Sequence, residues 1–325
     1  MEALPEAISW CEVSAEAIRA NLATLRRGLS QGTELGIVVK SNAYGHGLAA
    51  CAGVFIAAGA DWLIVNSVGE AIALRALARE SPIYICGPVF PDEAPEIGDA
   101  RASVAIYDNE MALALANAGQ RSGQSIGVHI KVETGTNRQG VAPAEALELA
   151  LYVDRLEGVR LEGITTHYAD IEDTTDHRFA LGQLSRLQEV VQAFADAGLP
   201  KAILHSANSA ATLISPATHG GLVRVGIAAY GLWPSNETYA TVLERRLGAN
   251  DAQLPDLQPV LSWRARVAQV KDVAEGEYIG YGRTYRATYP MRIAVLPVGY
   301  YEGYDRRLSN IGHALINGVR APVRG

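Results

Sequence analysis

Several basic and hydroxyl side chains stand where apolar runs of this chain end, and their types suit one chemistry. Lys40 closes the run LGIVVK, Lys131 lies in IGVHIKVE ahead of Arg138, and His167 closes RLEGITTH. His205 lies in KAILHS and is followed by Asn208-Ser209, while Arg224 lies in LVRVG and is followed by Gly226-Ile227. A lysine at the mouth of an apolar interior is costly to bury. Its ammonium must find partners or shift its pKa, which is the setting of lysines that form Schiff bases with carbonyl compounds. A hydroxyl at a helix start, with free backbone N–H groups next to a glycine, forms a cradle for phosphate. Lysine, cradle and a histidine able to stack together point to pyridoxal phosphate. Singly, each has a plainer reading: a strand-end lysine is most often a rim residue, a histidine a satisfied polar group, and Asn-Ser a helix N-cap with no ligand. Joint placement on different strands carries the weight.

Positioning those groups requires a scaffold, and the chain writes one. Short runs rich in Val and Ile, at 35–40, 61–66, 82–87, 102–107, 126–133, 160–167, 201–206 and 222–226, alternate with stretches of helical period such as 69–80, 109–119 and 176–198. Continuous β-branched runs, instead of strict alternation, suit strands buried on both faces of a parallel sheet. Eight strand–helix units within about 230 residues predict a (β/α)8 TIM-type barrel, with its chemistry at the C-terminal ends of the strands. The competing doubly wound sheet would carry a GxGxxG turn, which is absent. Beyond residue 235 the texture changes to a polar linker over 236–258 with one short helix. Runs broken by Gly, Pro and Asn then predict a second, all-β domain over 259–325. The barrel is expected over 1–235, with a strand at 8–13 joining the β-domain.

Composition narrows the field. A net charge of −7 with scattered Lys and Arg gives no reason to expect nucleic acid or an anionic membrane as partner. Cys11, Cys51 and Cys86 have no metal or disulfide spacing, so no metal site is expected and buried reduced thiols are the plain reading. The acidic N-terminus lacks the features of a signal peptide, and no apolar run reaches the roughly 20 residues of a membrane span. A cytoplasmic protein is the expectation.

At VVKSNAYGHG (38–47) the chain resembles the alanine racemase family, pyridoxal-phosphate enzymes of fold type III. Further matching segments follow in the family's order: HIKVETGTNRQG (129–140), GITTHYAD (163–170), HSANSAAT (205–212), RVGIAAYG (224–231), GYGRTY (280–285) and GYYEGY (299–304). Any later segment alone would be unremarkable, but their ordered set is specific.

The resemblance implies that Lys40 holds pyridoxal phosphate covalently and acts as the base on one face of the substrate α-carbon. Tyr281 is implied as the opposing acid/base, supplied by the partner copy of a homodimer. Tyr44, Asn208, Ser209 and the backbone at Gly226-Ile227 would bind the phosphate, and Arg138 the cofactor's phenolic oxygen and the substrate carboxylate. Lys131 matches a lysine often carbamylated in the family, its new negative charge orienting Arg138. Arg224 would face the ring nitrogen. An arginine cannot give up its proton at neutral pH, so the cofactor becomes a weaker electron sink and racemisation is favoured over transamination. A hydrogen-bond chain is implied through Tyr281, His167, Arg224, His205 and Tyr300. The implied substrate is alanine, and the implied role is supply of D-alanine for peptidoglycan.

Two departures stand out. The family's DTGM is ETGT at 133–136, and GYADG is GYYEG with Glu302 for Asp. The chain also stops at RAPVRG, before the family's last strands, which reads as a C-terminal truncation. Two other functions remain in view. A decarboxylase of the same fold type should show a GGG-type phosphate loop, and a non-catalytic cofactor carrier should lack the β-domain.

Overall fold

Strands β2 (Glu34–Val38), β3 (Trp62–Val65), β4 (Ile83–Ile85), β5 (Ser103–Ile106), β6 (Ile126–Lys131), β7 (Val159–Thr165), β8 (Ile203–His205) and β9 (Leu222–Val225) follow the apolar runs. They form one parallel sheet in the order β8-β7-β6-β5-β4-β3-β2-β9 in the computed structural model. Its two end strands are bridged by Gly221 N donating to Leu204 O at 2.8 Å and Arg224 N donating to Ala207 O at 2.9 Å, which closes the sheet into a barrel. Strands β3, β5, β6 and β9 are buried at every residue, as a parallel sheet covered on both faces requires. The structure describes residues 7–249 and 254–325; residues 1–6 of the acidic N-terminus and 250–253 of the expected linker lie outside them.

The helices between strands form where apolar residues recur every three or four positions. Helix Arg178–Asp196 buries Ala180, Leu184, Leu187, Val190 and Phe194 on one stripe. Side chains fix where helices begin: Ser14 accepts from Ala17 N, Ser67 from Glu70 N and Asp108 from Met111 N. Each fully buried Leu or Ile in this core contributes roughly 1.5–3 kcal/mol.

The chain divides into two compact units, Val13–Val260 and Met1–Glu12 with Leu261–Gly325. Residues 236–248 of the expected linker are a 13-residue helix of the barrel unit, capped by Ser235. The smaller unit is all β among its described residues, apart from tight turns. Strand β1 (Ser9–Val13) pairs with β10 (Leu261–Ala265), β11 (Gln269–Val273) with β14 (Met291–Val295), β12 (Tyr278–Ile279) with β13 (Tyr285–Arg286), and β15 (His313–Ile316) with β16 (Val319–Pro322). All three cysteines are free. Cys51 is buried and Cys86 half-buried, but Cys11 is exposed on the short β1, contrary to the expectation of burial. No helix among the described residues is long and apolar enough to cross a membrane.

Candidate active site

At the C-terminal ends of the barrel strands lies a cleft of about 710 Å³. Lys40, Tyr44, Lys131, Arg138 and His167 line it, as do Asn208, Ser209, Arg224, Gly226 and Ile227. Of the residues singled out by sequence, His205 lies behind this wall, fully buried. Tyr281 and Tyr300 belong to the other unit, where they are 81% and 69% exposed.

Lys40 does not lie within its strand. Strand β2 ends at Val38, and the chain then makes a left-handed turn, with φ of 54°, 54°, 55° and 53° at Ser41, Asn42, Ala43 and Tyr44. For non-glycine residues this conformation costs on the order of 1–2 kcal/mol each. Tertiary bonds hold it: Ser41 N donates to Glu70 Oε1 at 2.6 Å, and Asn42 Oδ1 accepts from Leu48 N at 2.8 Å. The turn brings Lys40 and Tyr44 to one wall of the cleft. Strain kept at such a place is a sign of function.

The adjoining wall comes from the loops after β8 and β9, β9 being the strand paired with β2. Asn208 caps the helix Ser209–Ile214 by accepting from Ala211 N. Ser209 Oγ accepts from Gly226 N at 2.9 Å and Ala228 N at 3.3 Å, which leaves its own proton free to donate. A Cβ at Gly226 would sit 2.6 Å from the Tyr44 hydroxyl, so any side chain there would displace that hydroxyl. The lining carries four cations (Lys40, Lys131, Arg138 and Arg224) against one carboxylate, Glu172. That donor set fits an anionic ligand, and a phosphate between Tyr44, Ser209 and Gly226 would meet the hydroxyls of Tyr44 and Ser209. Lys40 stands on the same cleft, so the residues present fit pyridoxal phosphate.

Crowded cations shape the titration of the cleft. Burial, then Arg224 and Arg138, push Lys131 down to about 8. Its Nζ donates to Gln139 Oε1 at 3.0 Å. Burial, then the charges of Arg224, Arg138, Lys131 and Lys40, push His167 down to about 3, so it is a neutral imidazole at physiological pH. Burial raises Tyr44 to about 12. Glu133, one of the departures from the family pattern, closes the loop ahead of Arg138. It accepts from Gly135 N, from Thr136 Oγ1 and from Arg138 N. The altered pair Glu133 and Thr136 are thus bonded to each other.

Arg224 is fastened from below: Nη1 donates to Thr165 Oγ1 at 3.0 Å, His205 Nδ1 at 2.7 Å and His205 O at 2.8 Å, and Nη2 to Thr166 O at 2.8 Å and Ser206 O at 3.3 Å. The charge of Arg224 acts on His167, whose backbone carbonyl accepts from Gln183 Nε2 at 3.1 Å. His205 Nε2 is 2.8 Å from His129 Nδ1 inside the barrel, so both of its ring nitrogens have partners within the barrel unit. His129 was not among the sequence candidates, nor were Glu172, Gln139, Tyr84 and Cys86, which also line the cleft or its floor. Glu172 accepts from Asn208 Nδ2 at 2.6 Å, and burial raises its pKa. Only Gln139, next to Arg138, carried a local signal.

Fold and cleft together define a barrel enzyme built to hold an anionic ligand beside a lysine. The family model for the alanine racemase N-terminal domain matches residues 13–234, and that for the alanine racemase C-terminal domain matches residues 260–325. An alanine racemase of Symbiobacterium thermophilum is 40% identical over 317 residues, covering 98% of this chain and 80% of that one. Among solved structures, the alanine racemase from D-cycloserine-producing Streptomyces lavendulae superposes with a TM-score of 0.86 at 31% identity, covering 98% of this chain and 81% of that one. The Bacillus anthracis alanine racemase with bound L-Ala-P gives 0.83 at 30% identity, covering 99% and 80%. The chain belongs to the alanine racemase family.

Proposed function

We propose that this chain interconverts L- and D-alanine by moving the α-proton between Lys40 on one face of the substrate and Tyr281 on the other. The observation that carries the reading is the shared cleft of Lys40, Arg138, Arg224 and the Tyr44–Ser209–Gly226 cradle. Lys40 would hold pyridoxal phosphate, with Tyr44, Asn208, Ser209, Gly226 and Ile227 around its phosphate and His167 against its ring. When bound, that group draws electrons from the α-carbon and makes its proton removable. Arg138 presents a cation for the substrate carboxylate. Arg224 lines the cleft and would face the ring nitrogen with a group that keeps its proton, which would favour quick return of the α-proton over transamination.

Lys131, pushed down to about 8, has free amine near neutral pH. Such an amine can take up carbon dioxide by forming an N–C bond and releasing a proton to water. The resulting negative charge would offset the cations around it and orient Arg138. Tyr281, 81% exposed, is available to another molecule; the proposed assembly is a homodimer in which it acts in the partner's cleft. A cytoplasmic setting, where three free cysteines stay reduced, accords with the reading, as does a role in supplying D-alanine for the cell wall.

The test is incubation of each alanine enantiomer with the protein and pyridoxal phosphate in deuterium oxide. The expected result is α-deuteration with inversion from either enantiomer. Loss of carbon dioxide would make the protein a decarboxylase, and no exchange would make it a carrier.

A further inference from the structure

Beneath Arg224 a line of buried polar groups runs through the barrel interior, away from the cleft. An arginine has only donors, so His205 Nδ1 must accept from Arg224 Nη1, and the proton of that ring sits on Nε2. His205 Nε2 then donates to His129 Nδ1 at 2.8 Å, which puts the proton of the second ring on its Nε2, 3.2 Å from Glu162 Oε2. Glu162 also accepts from Ser103 Oγ, and Arg160 Nη2 donates to its Oε1 at 2.6 Å. The bonds all run one way, from a cation at the cleft through two fully buried imidazoles to a carboxylate.

The barrel makes room for this line. A Cβ at Gly163 would lie 2.0 Å from His129 Nδ1, and one at Gly127 would lie 2.0 Å from Glu162 Oε2. The register of β6 against β7 shifts between Val128 and His129, at the residue that must turn inward. Tyr84 and Trp62 pack on the His129 ring at centroid distances of 4.6 and 5.9 Å. Around the two rings stand Arg224, Lys131, Arg160, Tyr84 and Glu162. Burial, joined by Arg224, lowers both histidine pKa values, while Glu162 alone pulls His129 the other way. Burial would raise Glu162, but its bonds from His129 and Ser103 overcome that and hold it down to about 2, as a carboxylate.

We propose that His129 and Glu162 are positioning residues for the reaction: the Glu162 carboxylate pins His129, and His129 pins His205, as neutral rings with the proton on Nε2, and this keeps an acceptor under Arg224. With the opposite tautomer, His205 would present an N–H to the guanidinium, and two donors would push Arg224 off the cleft floor. The inference rests on the racemase reading for what Arg224 faces, but the hydrogen-bond line stands apart from it.

The experiment has two parts. Nitrogen NMR of the holoenzyme carrying isotope-labelled histidine should show His129 and His205 as neutral Nε2–H rings from mildly acidic to alkaline pH. An Nδ1–H ring at either position, or an imidazolium at neutral pH, would overturn the proposal whether or not the protein racemises alanine. Absence of α-proton exchange in the unaltered protein would instead overturn the functional reading. In the second part, His129→Phe keeps an aromatic ring against Trp62 and Tyr84 but cannot accept. It should lower kcat by roughly ten- to hundredfold, the size of effect seen when outer hydrogen-bond partners are removed, with KM for alanine unchanged. The absorption band of bound cofactor should shift. His129→Asn, which restores an acceptor, should recover part of kcat and the band. Equal losses in both variants, tracking Tm with an unmoved band, would reduce His129 to a packing residue.

Discussion

The two units bury their strands very differently. In the barrel, β6 is buried at all six residues; in the smaller unit, β10 is exposed at four of five and β11 at four of five. The barrel strands share one eight-stranded sheet, while the smaller unit has four separate two-stranded pairs among its described residues, an arrangement that is marginal alone in water. The difference decides what each can do with charge. Inside the barrel, a low effective dielectric strengthens every bond around Arg224 and holds His167 and Lys131 far from their usual protonation. In the smaller unit, Tyr281 sits on a turn between Gly280 and Gly282, both at positive φ, and is presented by backbone shape alone. A preorganised floor in the barrel and an exposed tyrosine on the smaller unit are the two parts on which the proposed reaction rests.

Four outcomes would sharpen or break that contrast. The largest effect is expected at Lys40: Lys40→Ala should lower racemisation by roughly ten-thousandfold or more and abolish the visible band of covalently held cofactor. A variant that still shows a borohydride-reducible linkage would refute the assignment. Tyr281→Phe should cost on the order of a thousandfold in kcat while cofactor binding and Tm stay unchanged, because the hydroxyl lies outside any packed core. Arg224→Glu replaces a group that keeps its proton by one that favours a protonated ring nitrogen. Racemisation should slow by roughly a hundredfold and transamination rise, as measured by pyruvate release.

The smallest effect is on stability. His167 has its pKa lowered to about 3 in the folded chain against an ordinary 6.5. Between those values the unfolded chain binds a proton that the folded chain refuses, so stability falls as pH drops through 6.5, and the loss is complete below 3. Urea unfolding of His167→Asn should therefore lose less stability than the parent between neutral pH and about pH 5, by on the order of 1–2 kcal/mol. Parallel losses would mean that His167 is protonated in the fold.

The same contrast explains what could be read in the chain. Burial on both faces writes a strand as a continuous β-branched run, so all eight barrel strands were legible from runs such as WLIV and IGVHIK. Polar residues within or just after five of the eight runs then marked the cleft. The left-handed turn at Ser41–Tyr44 was not legible, because only Asn42 of its four residues visits that conformation readily; Glu70, contributed by a helix further along the chain, holds it. His129 and Glu162 were passed over because a polar residue within an apolar strand carries no mark of its partner. Their pairing depends on how the barrel closes and on two glycines that leave space. Tyr300 was assigned by resemblance alone, no residue beside it marking a partner.

Lys40 in the barrel and Tyr281 on the small unit are proposed to meet across two copies of the chain, and mixing inactive variants tests this proposal. Lys40→Ala and Tyr281→Phe chains, each nearly inactive, would be unfolded or dissociated together and reassembled at equal amounts. In a dimer with trans sites, half the assemblies are mixed and each mixed dimer has one intact site, so racemase activity should recover to about a quarter of the unaltered protein's. Activity no higher than that of either variant alone, from a mixture shown by sedimentation to contain dimers, would contradict the claim.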